Sequence, residues 1–359
     1  MAPQPAAGAG VTRAPAGPRG WRGWHLFYHA DRDLLLRGLV APLAASLLAE
    51  GEAESVFFVR YGLGGPHVRL RVRPLPGRAA AAEARVRREA EAFFARCPST
   101  VPLSDDAIHR QNRALLFDDP LLTARDDVVR PDNAVLRAPV RFEVERYGGP
   151  RLLRHSVDFF ALSSVHVLRT LRRAGEPSAA ARLAEASRAT LRQAWGLARD
   201  AGQVGQLAAW AAHAFRGVLD GFAARGDEAF ERGRDAHCAR IRGELEALAE
   251  GDERDPDGAG WMGGAARRLA HELHGAGDDQ RWRIGSSQVH MTANRLGLRN
   301  PEEVYLGRIL QRAVDAVMDA DPALRRRLAD AHRAQAAATP PDSLRERTRA
   351  TLAAFARGN

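Results

Sequence analysis

Between Gly64 and Arg73 the chain reads GGPHVRLRVR, and this alternation restricts the fold more than any other stretch. His67, Arg69, Arg71 and Arg73 take every second position, with Val68, Leu70 and Val72 between them. Successive side chains of a β-strand point to opposite faces, so the aliphatic set turns to a core and the basic set turns the other way. A helical period would scatter both sets around an axis. The stretch is therefore a strand in a sheet with one apolar face. A basic opposite face is, taken alone, simply a solvated one.

Its neighbours extend the pattern. WHLFYHA (24–30) has the aromatic and apolar content of a strand. Asp31 or Asp33 can cap the leucine-rich helix that follows, and Pro42 inside that helix predicts a kink. SVFFVRY (55–61) and HVRLRVR flank LGGP, which predicts a hairpin whose basic strand is backed by the leucine helix. RAAAAEARVRREAEAFFARC (78–97) is amphipathic and ends before Pro98. Residues 99–139 read as irregular.

VRFEVERYGG alternates again, with Phe142, Val144 and Arg146 against Glu143, Glu145 and Tyr147, and predicts a further strand stopped by Gly148-Gly149-Pro150. From Arg151 to Leu248 the period is helical and Ala-rich, with a break near 175–177. An acidic loop (251–260) and further helices follow, with breaks at Pro322 and at 339–341. The expectation is an α+β fold: one domain over 21–359, after a disordered tail at 1–20, with an antiparallel sheet from 24–73 and 142–147 packed against several helices. No fixed-period repeat argues for a solenoid.

Charge narrows the function less than it first suggests. The formal charge is +9, yet all 53 Lys+Arg residues are Arg, which points to a coding bias and discounts Arg clusters as a signal. Zinc-finger spacing, an RNP-like aromatic motif and a basic heptad region are all missing, so nucleic-acid binding is disfavoured. There is no run of 18 apolar residues and no apolar core of a signal peptide in the first twenty, which predicts a cytoplasmic protein without a membrane span. Cys97 and Cys238 give neither a disulfide framework nor a CxxC site.

Three segments gather unusual polar residues: HVRLRVR, ERYGG (145–149) and SSQVHMTANRLG (286–297). Arginines on rigid strands can bind a dicarboxylate or an oxyanion bidentately. A histidine such as His290 can move a proton, and Tyr147 can add a hydrogen bond. That combination suits proton abstraction beside a carbonyl followed by departure of an anion, which is β-elimination. HELH (271–274) has the wrong spacing for a zinc helix, and no GxGxxG, P-loop or GxSxG supports nucleotide or serine chemistry. Trp21, Trp24, Phe27, Phe57 and Phe58 read as core.

On FFVRYGLGGPHVRLRVR, ERYGGP and QVHMTANRLGLRNPEEVYLGRIL, in that order, the sequence resembles the C-terminal glutamate-elimination domain of class I lanthipeptide dehydratases, in the stand-alone form of thiopeptide biosynthesis. The resemblance implies an elimination-domain-like fold acting on a precursor peptide, with a core and an acidic leader. A glutamyl-tRNA-dependent partner would glutamylate its Ser or Thr, and this chain would expel glutamate to leave dehydroalanine or dehydrobutyrine. It implies that Arg69, Arg71, Arg146 and Tyr147 hold the glutamyl carboxylates and developing enolate and that His290 moves the proton. His67, Arg73, Asn294 and Arg295 are expected to bind substrate. No metal, nucleotide or redox cofactor is implied.

The same fold also serves pyridine synthases, which join two dehydroalanines by a formal [4+2] aza-cycloaddition with loss of water and leader peptide. Retention of the cationic set favours elimination, since a diene does not need it. A third possibility is a non-catalytic subunit that binds an acidic leader by strand addition to a basic edge strand.

Overall fold

The computed structural model describes residues 18–118, 122–175, 177–251 and 260–358. Most of the tail and of the acidic loop expected from the sequence lies outside the described residues. Four strands, β1 (Arg22–Phe27), β2 (Ala53–Tyr61), β3 (His67–Pro74) and β4 (Ala134–Ala138), form one antiparallel sheet in the order β2-β3-β1-β4. The hairpin turn expected at LGGP joins β2 to β3. Gly64 and Gly65 hold φ of 82° and 121° there, and a Cβ on Gly65 would fall 2.8 Å from His29 Nε2.

The register sorts the side chains as the alternation requires. Leu70 pairs with Trp24 and Phe58, and Val72 with Arg22 and Val56, so these share a face; Val68, Leu70 and Val72 are fully buried there. The leucine-rich stretch closes over this face as α1 (Arg32–Leu35), a π-turn (Leu36–Val40) and α2 (Ala41–Ala49). Pro42 cannot donate to the carbonyl four residues back, and the helix widens just before it. Beside it lies α3 (Ala79–Arg96), where Phe93 packs against Gly38 and Glu83 meets Arg137 of β4 at 3.5 Å.

Two expectations are corrected. Residues 142–147 are not a strand: they form a turn closed by Gly149 N–H to Val144 O at 2.9 Å, with φ of 79° at Gly148. Val144 and Tyr147, three residues apart, both turn inward, a helical spacing that the apparent alternation concealed. The fourth strand instead comes from AVLRA, inside the stretch read as irregular. It is only five residues long and nowhere fully buried, so its apolar signal is weak. Within the same stretch runs α4 (Asp105–Asp118), whose Asn112 accepts from Gly64 N–H at 2.7 Å.

The rest is helical: α5 (Gly149–Ala174), α6 (Ala179–Leu197), α7 (Val204–Ala208), α8 (Trp210–Ala214), α9 (Asp220–Arg232), α10 (Arg234–Ala249), α11 (Gly260–Glu272), α12 (Asp278–Leu296), α13 (Asn300–Ala320), α14 (Pro322–Ala337) and α15 (Leu344–Ala356). The polar run 286–297, expected beside a strand or glycine turn, is the C-terminal part of α12, ended by Gly297 with φ of 94°.

The outer edge of β2 is closed by side chains from two helices. Phe58 N–H donates to Ser164 Oγ of α5 (3.1 Å), and Arg295 Nε of α12 donates to Phe58 O (2.9 Å). Asn294 accepts from Arg60 N–H (3.1 Å) and donates to Arg60 O (3.0 Å). The strand with the basic row is thus internal, paired on both sides, which corrects the idea of leader binding by strand addition to a basic edge. Arg60 itself is buried against Asp33 at 2.5 Å, and Arg182 of α6 reaches the same carboxylate at 2.6 Å.

Candidate active site

The basic row is largely enclosed. His67 is fully buried and Arg71 is 6% exposed, while Arg69 and Arg73 are half-buried. On the same sheet face lie His25, across from Arg69, and Phe57, Val59 and Tyr61 of β2. Arg69 lays its guanidinium 3.4 Å above the Tyr61 ring centre. His25 and His67 stack with centres 4.7 Å apart.

Electrostatics follow from this enclosure. Burial first, then His67 and the surrounding arginines, pulls His25 down to about 2, and burial with Arg69 pulls His67 down to about 3. Both imidazoles are neutral. Arg71 falls to about 9 through burial and the charge of Arg69, and still carries its charge at neutral pH. Among the described residues it has no carboxylate partner; its contacts are Leu70 O (3.3 Å) and His25 Nε2 (3.5 Å). Arg73, by contrast, pairs with Glu54 at 3.2 Å, and Arg345 of α15 joins that carboxylate.

A chain of contacts leads from the row to α12. Phe57, opposite Arg71, lies 6.4 Å from the Phe142 ring, with Trp21 beside both. From the following turn Arg146 donates through Nη1 to Glu143 (2.8 Å) and through Nε to Ser287 Oγ on α12 (2.8 Å). His290 is three residues beyond Ser287, hence on the same helix face. Its Nδ1 lies 2.9 Å and 3.1 Å from the two oxygens of Glu303 on α13, whose side chain is almost fully buried, and Trp210 of α8 meets its ring edge-on at 5.4 Å. A carboxylate on Nδ1 fixes the tautomer and turns Nε2 outward as proton acceptor.

Of the residues singled out from the sequence, Arg146 is bonded to the helix face that carries His290, while Arg69 and Arg71 share the sheet face of Phe57, whose ring lies near Phe142. Tyr147 is 4% exposed with its ring against Phe160, and burial raises its phenol above the usual range. Arg295 is fully buried over Phe160, bonded to Phe58 O, Ser164 and Met291 O; Asn294 is held by the β2 backbone. These three hold the frame together. Sequence reasoning missed Glu303, Ser287 and His25. The run NPEEVYLGR did carry a signal for Glu303, since a carboxylate sits among apolar residues at core spacing.

Among the described residues no three His, Cys, Asp or Glu side chains gather to hold a metal ion. A cavity of about 250 Å³ between the ends of α6, α11 and α14 is lined by Trp195, Arg199, Arg267, His271 and His332, and none of the arginine row borders it. No described helix is long and apolar enough to cross a membrane.

The family described as lantibiotic biosynthesis dehydratase C-term matches residues 21–314. No curated protein matches the chain. Among solved structures it is similar to TbtD, the pyridine synthase from thiomuracin biosynthesis, with a TM-score of 0.65 and 20% identity over 84% of this chain and 98% of that one. The tRNA-dependent lantibiotic dehydratase MibB from Microbispora sp. 107891 gives 0.53 and 20%, over 87% of this chain and 29% of MibB. TsrL gives 0.51 and 19%, over 86% of this chain and 98% of TsrL. At such identities the likeness is one of fold.

Proposed function

The chain belongs to the lantibiotic biosynthesis dehydratase C-terminal family, and on that premise we propose that it matures a ribosomally made peptide by eliminating glutamate from glutamylated Ser or Thr. The observation that carries this reading is Arg71, a buried guanidinium on a strand paired on both sides, beside Arg69 and, among the described residues, without a carboxylate to neutralise it. Such a group is a receptor for an anion brought by a ligand.

In the proposed reaction His290 Nε2 takes the α-proton of the esterified residue. Glu303 stabilises the imidazolium that results. The electron pair left on the α-carbon forms the new Cα=Cβ bond, the Cβ–O bond breaks, and glutamate leaves with the electrons of that bond as its carboxylate. Arg69 and Arg71 bind the glutamyl carboxylate, and Arg146, oriented by Ser287 and Glu143, stabilises the enolate oxygen. The substrate would come from a partner that glutamylates the precursor from glutamyl-tRNA, as the description of MibB as tRNA-dependent suggests.

A second reading is pyridine formation by aza-cycloaddition, favoured by the end-to-end likeness to TbtD. Mass spectrometry separates the two. The purified protein is incubated with one peptide glutamylated on Ser and with another carrying two dehydroalanines. Loss of glutamate from the first, abolished by Arg71→Gln, is the expected result. Change in the second alone, with loss of water and leader, would overturn the elimination reading.

A further inference from the structure

We propose that the Gly23–Trp24–His25 stretch of β1 is the positioning element for Arg71, seating its guanidinium through neutral contacts alone and so keeping its whole charge for a carboxylate of the substrate. The inference rests on the reading of Arg71 as an anion receptor and explains how the fold builds one.

Gly23 is the residue opposite Arg71 in the sheet. A Cβ at Gly23 would fall 2.7 Å from Arg71 Nη1, 2.7 Å from Ala138 O and 3.0 Å from Val140 Cγ2. The guanidinium therefore lies across Gly23, in the space any other residue would fill. Nη1 also donates to Leu70 O, and Nη2 faces His25 Nε2 on the diagonal. A guanidinium has donors only, so this His25 nitrogen presents its lone pair and the ring proton sits on Nδ1. Behind His25 stacks His67, itself anchored by Nδ1–H to Gly65 O at 2.9 Å.

Arg295 too is buried on neutral groups, but its donors go to Phe58 O, Ser164 Oγ and Met291 O, and the other buried arginines meet carboxylates. Arg60 is matched to Asp33, Arg192 to Glu244 and Arg268 to Asp342. A protein carboxylate at Arg71 would compete with the ligand for the same fork of donors. Uncharged supports orient the fork without that competition, and the field of Arg69, Arg71 and Arg130 helps to keep His25 uncharged.

The test introduces a carboxylate beside Arg71, where the described residues place none. His25→Glu, and Leu136→Glu at the half-buried position opposite His25 on β4, each bring an acid within reach of Arg71. His25→Gln replaces the lone pair with an amide oxygen. Two readouts are used: steady-state glutamate loss from a Ser-glutamylated peptide, and calorimetric binding of glutarate. Either Glu variant is expected to raise KM about tenfold or more with little change in kcat and to weaken glutarate to the same degree, with His25→Gln restoring most of the affinity. If the folded Glu variants match His25→Gln in both readouts, the inference is overturned while the elimination reading stands. If the wild type releases no glutamate, the elimination reading fails, and glutarate alone decides: binding lost in the Glu variants sustains the inference, and absence of binding to the wild type overturns it.

Discussion

Acidification should weaken this fold through the stacked pair His25 and His67. In the unfolded chain a histidine titrates near 6.5, whereas in the folded protein the two stay neutral down to about 2 and about 3. Below pH 6.5 the unfolded state therefore binds protons that the folded state refuses, and stability falls as pH drops. The slope for each group grows from about 0.7 kcal/mol per pH unit at pH 6.5 towards about 1.4 below it, so the pair costs about 3 kcal/mol between pH 6.5 and pH 5. That is a large share of the ~5–15 kcal/mol typical of a domain. The assay is urea unfolding followed by tryptophan fluorescence at pH 7.5, 6 and 5, for the wild type and for the His25→Gln, His67→Gln double variant. Burial also lowers His155, His213, His237 and His332, but these remain in both proteins and cancel in the difference. The variant is expected to lose much less stability on acidification. Parallel profiles would refute the reasoning, since they would mean that the two imbidazoles titrate as they do in water.

Three other perturbations have signs fixed by the structure. Asp33→Asn leaves the buried Arg60 without its carboxylate and should cost about 3–5 kcal/mol in denaturant unfolding. Asp158 is raised from 3.8 to about 6, chiefly by burial, so the folded state holds its proton longer and stability falls as pH rises from about 4 to about 6. Asp158→Asn should accordingly stabilise by about 1–3 kcal/mol at pH 8 and by little at pH 3.5, read as the shift in melting temperature. Glu303→Gln keeps a partner for His290 but removes the charge that stabilises its protonated form, and should lower kcat for glutamate release by about 10–100-fold with KM little changed.

How far the sequence reveals this molecule depends on the range of the interactions involved. The alternation of HVRLRVR and the glycines of LGGP are local signals, and strand, hairpin and apolar face follow from them. Short β4 has no such signal, because its pairing with β1 is made by a partner more than a hundred residues away. The turn at 142–147 imitates a strand, since Phe142 packs on Trp21 and Phe57, and Tyr147 on Phe160, without pairing to a strand. For the candidate site, residue types were legible and roles were not. Arg71 and Arg73 look alike in the row, yet Glu54 claims one of them. Asn294 and Arg295 follow His290 in one motif, but helix α12 turns them into the sheet edge, a consequence of period that becomes visible only once the run is known to be helical.

That sheet edge has a mechanical consequence. The four bonds from Ser164, Asn294 and Arg295 to the backbone of Phe58 and Arg60 rivet α5 and α12 to β2, and β2 is zipped to the strand of arginines. His290 lies one helical turn before Asn294. The spacing between His290 and the arginine row is thus set by one bonded frame. On the proposed reading, substrates would have to fit a gap whose width that frame sets, and altering the chemistry would mean exchanging the tools on the two walls while leaving the frame untouched.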